Sequence, residues 1–75
     1  MKEMIYIGGI IQRKMDEERR SANWLANKLS CTRVNVYKIY NRPNIDMERL
    51  LQIGRVLNYN FFSEISDFVN ENNGR

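Results

Sequence analysis

The sequence predicts an all-α protein, a compact five-helix bundle. Apolar residues recur at helical spacing along most of the chain, and no alternating strand pattern of useful length appears. Capping residues and one proline cut this pattern into five short segments joined by loops of two to five residues. Seventy-five residues suit one domain with a thin core.

The first helix is expected over about residues 5–18. Ile7, Ile10, Ile11 and Met15 fall on one face. Gly8 and Gly9 weaken its start, and their missing side chains would let another backbone approach closely. Asp16 through Arg20 form a polar exit. The second helix, about 21–29, opens with Ser21 as N-cap and turns Leu25, Ala26 and Leu29 inward. The third, about 32–41, opens with Thr32 and turns Val36, Ile39 and Tyr40 inward. So few residues separate the two that they should cross steeply, with Ala26 small at the crossing and Cys31 filling the turn.

Pro43 ends the third helix. The fourth, about 46–58, takes Asp46 as an acidic N-cap and Glu48 in its first turn, and buries Leu50, Ile53, Gly54 and Leu57. The fifth, about 61–70, gathers Phe61, Phe62, Ile65, Phe68 and Val69, leaving 71–75 as a frayed tail. The expected core is Ile7, Ile10, Ile11, Leu25, Leu29, Val36, Ile39, Leu50, Ile53 and Leu57.

Composition narrows the function. The chain has no histidine and a single cysteine, Cys31, so it offers neither an internal disulfide nor a usual metal site, and it lacks the commonest general base. No phosphate-cradling glycine loop and no convincing acid–base pair are present, so we expect no enzyme, no cofactor and no metal. No apolar run approaches a membrane span, and residues 1–11 do not read as a signal peptide, which leads us to expect a cytoplasmic protein. The net charge of +3 is unevenly spread. Residues 21–45 hold Lys28, Arg33, Lys38 and Arg42 and no acid, a basic zone on an otherwise balanced chain.

The stretch WLANKLSCTRVNVYKI resembles the paired-helix signature of the lambda-repressor-like (XRE or Cro-type) helix-turn-helix DNA-binding family. NIDMERLLQIGRVLN resembles the helix that follows it there, with its capping residue, double leucine and closing Leu-Asn. The likeness covers about residues 7–62 and places a helix-turn-helix at about 21–41. Three departures stand out, one of them Trp24, which stands where the family is often polar. Ser30 replaces the usual turn glycine, and Ala22 stands where a phosphate-gripping glutamine is common.

The resemblance implies sequence-specific binding of double-stranded DNA by a transcriptional regulator of repressor type, reading the major groove with the third helix. Helical geometry then sorts the side chains. Arg33, Val34, Asn35, Tyr37 and Lys38 are the expected base contacts, with Arg33 suited to guanine, Asn35 to adenine and Val34 to a thymine methyl. Ser21, Asn23, Thr32, Lys38, Asn41, Arg42 and Asn44 are the expected phosphate contacts. Trp24 reads as a packing residue. The aromatic surplus of the last helix (Phe61, Phe62, Phe68) suggests a homodimer surface. The competing reading is a protein-interaction module, antitoxin-like or adaptor, that uses this aromatic helix.

Overall fold

The computed structural model describes the backbone of residues 6–73 and the side chains of residues 6–70. It is all-helical and compact: α1 (Ile7–Glu17), α2 (Ala22–Leu29), α3 (Arg33–Tyr40), α4 (Met47–Leu57) and α5 (Phe61–Asn73). No strand occurs among the described residues.

Local chemistry sets most helix ends. Ser21 Oγ accepts from the Trp24 N–H at 3.1 Å, and Thr32 Oγ1 accepts from the Asn35 N–H at 3.2 Å. Each satisfies a donor that the first helical turn leaves unpaired. Asn60 does the same for α5, its Oδ1 accepting from Phe62 at 3.0 Å and Ser63 at 3.2 Å. Asp46 is extended and stands at the N-cap position of α4, but its side chain makes no capping hydrogen bond. The boundary therefore stands without a hydrogen bond from the carboxylate.

Three helices end on left-handed residues: Arg19 (φ 57°), Ser30 (φ 57°) and Asn58 (φ 54°). After each, the next N–H reaches back to a carbonyl five residues earlier: Arg20 to Met15 at 3.0 Å, Cys31 to Ala26 at 2.9 Å, Tyr59 to Gly54 at 2.9 Å. This arrangement closes a helix without a glycine, at a steric cost. α1 begins at Ile7, with Tyr6 already extended (φ −126°); Ile5, the expected start, lies outside the described residues. α5 runs through Asn73, past the expected end near residue 70. Its sequence holds no helix breaker before Gly74. The remainder of the expected tail, 74–75, lies outside the described residues.

The core is formed by Ile11 and Met15 of α1, Leu25, Ala26 and Leu29 of α2, Val36 and Tyr40 of α3, Leu50, Ile53 and Leu57 of α4, and Phe61 of α5. Ile7, Ile10 and Ile39 pack against its edge, half-buried. The reason is rotational. α1 buries Gly8, Ile11 and Met15, a stripe that leaves Ile7 and Ile10 on its flanks. α3 centres on Val36 and Tyr40, one full turn apart, so Ile39 lies off the axis.

Gly8 explains that rotation. A Cβ on it would lie 2.3 Å from the Ile39 carbonyl oxygen, 2.4 Å from that of Tyr40 and 2.6 Å from that of Arg42. The gap is closed by hydrogen bonds: Gly8 N–H to the Arg42 carbonyl at 2.8 Å, Ile7 N–H to that of Pro43 at 3.0 Å, and the Tyr6 hydroxyl to that of Asn41 at 2.6 Å. The electropositive start of α1 thus caps the electronegative end of α3.

Candidate nucleic-acid interface

α3 is an independent helix. Ser30, in its left-handed conformation, breaks the path from α2, and Thr32 starts the new helix. Val36 is fully buried, Tyr40 is 7% exposed and Ile39 is half-buried. Every other α3 residue faces solvent: Arg33, Val34, Asn35, Tyr37 and Lys38 are all exposed, with Val34 at 61% and Tyr37 at 50%. α3 contains no acidic residue. All five expected base-contacting residues therefore sit on this one exposed surface.

Two details refine it. The Tyr37 ring meets Tyr40 edge-on, centroids 6.0 Å apart, which ties an exposed side chain to a buried one. Asn41 Nδ2 donates to the Tyr37 carbonyl at 3.1 Å, so part of its donor capacity already serves its own helix.

The expected phosphate contacts are likewise exposed: Ser21, Asn23, Thr32, Asn41, Arg42 and Asn44. The Ser21 and Thr32 oxygens are occupied as N-caps, leaving their hydroxyl hydrogens and the neighbouring amides as donors toward an anion. Trp24 is half-buried and packs against the core. Arg20 lies over its ring at 4.4 Å and Lys28 at 5.7 Å from the centroid, so two cations are held beside the start of α2.

Sequence reasoning missed a groove of about 300 Å³ between α3 and the start of α4. Asn35, Lys38 and Arg42 form one side, Asp46 and Arg49 the other, and Ile39 and Ile45 are its apolar members. The acid-free surface of α3 therefore does not extend to its neighbour, because Asp46 faces into this groove. The uncapped state of Asp46 and the placement of Arg49 depend on how α4 docks, and no local signal carries that.

The single cysteine, Cys31, is half-buried in the α2–α3 turn. Among the described residues no group of three or more potential ligands could hold a metal ion, and no helix is long and apolar enough to cross a membrane.

The geometry defines a small all-helical protein that presents one separately capped, basic and amide-bearing helix to solvent. No family model, no curated protein and no solved structure matches the chain.

Proposed function

We propose that the chain is a helix-turn-helix protein that binds double-stranded DNA in a sequence-specific manner, with α3 in the major groove, and that it acts as a transcriptional regulator of repressor type. One observation carries this reading: α3 is braced from beneath by Val36 and Tyr40 while Arg33, Val34, Asn35, Tyr37 and Lys38 stand exposed with no acid among them. An arginine and an asparagine on the first turn of such a helix can each make paired hydrogen bonds to a base edge. Lys38, Arg42 and the amides beside Ser21 and Thr32 then fix the register on the backbone.

The decisive experiment is selection of bound sequences from a random duplex pool. A defined consensus supports the reading, and a palindromic one gives the symmetry and spacing of the heads. Arg33→Ala is expected to cost about 1–3 kcal/mol and to relax preference at one base position. Lys38→Ala is expected to weaken all sequences alike and lower the salt slope by about 1. Parent-like binding by both variants would misplace the reading face.

A homodimer would bring two reading heads to half-sites about 34 Å apart. The exposed large apolar residues of α4 and α5 are Met47, Leu51, Phe62 and Val69, at 66%, 42%, 36% and 44%. Phe61, expected at this surface, is 1% exposed and belongs to the core, because it seats the first turn of α5 on α4. Sedimentation of the parent and of Phe62→Glu tests the pairing. The same apolar surface favours the interaction-module reading. That reading requires indifference to duplex DNA even at low salt.

A further inference from the structure

We propose that the groove between α3 and α4 is an oxoanion site that holds one backbone phosphodiester of the duplex, with Arg49 supplying a cation from α4 and Asp46 limiting the grip. The site rests on the DNA-binding reading and adds two residues to it. Its charged members are Lys38, Arg42, Arg49 and Asp46, an excess of two positive charges. Among the described residues no ion pair joins Asp46 to these cations, and Asp46 makes no bond to the α4 amides. The only hydrogen bond of the Arg49 side chain among them goes to Gln52 Oε1, at 3.2 Å. The positive charge is thus uncommitted, and the acid is neither paired nor capped.

Ile39 and Ile45 give the groove an apolar part as well. A sugar–phosphate unit matches that pairing better than a bare anion, since the deoxyribose C–H surface can lie on the isoleucines while the phosphate meets the cations. Asp46 opposes any phosphate there by like-charge repulsion, whatever the sequence. Its effect is to lower non-specific affinity, leaving base contacts on α3 a larger share of the total.

The test measures binding of the full chain to bulk duplex DNA across a salt series. Arg49→Ala is expected to weaken all sequences alike and to lower the salt slope by about 1, while Arg49→Lys largely retains the slope. Asp46→Asn is expected to tighten non-specific binding several-fold. Arg55→Ala removes a charge from α4 outside the groove and is expected to leave the slope at the parent value. Circular dichroism and melting of each variant separate misfolding from lost contact. A parent that binds while Arg49→Ala keeps the parent slope overturns the groove and leaves the DNA reading standing. A parent that ignores DNA at low salt ends both. Inorganic phosphate is compared with chloride at equal ionic strength. Equal competition fits a site for backbone, and selective loss of the Arg49-dependent affinity at millimolar phosphate would make it a free-anion pocket instead.

Discussion

Ser30 and Gly8 place opposite demands on the backbone around α3. Ser30 holds φ 57° at the end of α2, a conformation that costs a side-chain-bearing residue about 1–2 kcal/mol. Ser30→Gly is therefore expected to stabilise the fold by roughly 1 kcal/mol, the relief of strain less the entropy of a freer unfolded chain. Urea unfolding followed by the fluorescence of Trp24 reads this directly, and an unchanged or lower midpoint would mean the serine is not strained. Gly8 has no such freedom. Its neighbours are main-chain carbonyls, which cannot rotate away, so Gly8→Ala is expected to cost about 3 kcal/mol. Both positions were visible in the sequence, but to different depths. The short turn at Ser30 was legible from the spacing of the caps, but its left-handed backbone followed only from the resemblance, which puts a glycine there. For Gly8 the sequence indicated a close approach, while its partners, carbonyls more than thirty residues away, are set by tertiary packing.

At the scale of the element, α3 is short, and it depends on attachments at both ends: the Thr32 cap, and the amides of Ile7 and Gly8 with the Tyr6 hydroxyl at its C-terminal side. Eight residues make little more than two turns, too few to persist alone. Thr32→Ala is expected to cost about 1 kcal/mol of stability and to weaken DNA binding beyond that, because Arg33 and Asn35 lie on the turn it caps. Comparing melting with affinity separates the two losses, and equal effects would remove any link between cap and recognition. The boundaries of α2 and α3 were legible because Ser, Thr and Pro act locally. The α3 stripe was less so, since Ile39 and Tyr40 compete for the inner face and only the docked position of α1 decides between them. The groove was illegible for the same reason. Asp46 has the identity of a cap, and its side chain ends up bordering Arg49 instead.

Across the whole molecule, the ion pairs among the described residues all start from α1, and one of them ties it to α5. Arg13 bridges Glu17 and Glu64, Lys14 lies over the Tyr59 ring at 4.2 Å, and the Tyr59 hydroxyl donates to Glu64 at 2.6 Å. Two tyrosines record the consequences as raised pKa values. Burial, then the nearby charge of Asp16, then Tyr37, pushes the Tyr40 phenol up to about 12, and the hydrogen bond to Glu64 holds the Tyr59 phenol above its usual range. A phenol with a raised folded-state pKa favours the fold in its neutral form. Below pH 10 both states keep the proton and the stabilisation is complete. Between pH 10 and about 12 the unfolded chain releases the Tyr40 proton while the folded chain holds it, so stability falls as pH rises. Urea midpoints measured without DNA should therefore decline across that window. Tyr40→Phe should flatten the decline without abolishing it, because Tyr59 acts in the same direction. An alkaline limb identical in the parent and in Tyr40→Phe would show that the α1–α3 contact does not seal the phenol from water, and with it that α3 is braced less firmly than the proposed role of a reading helix requires.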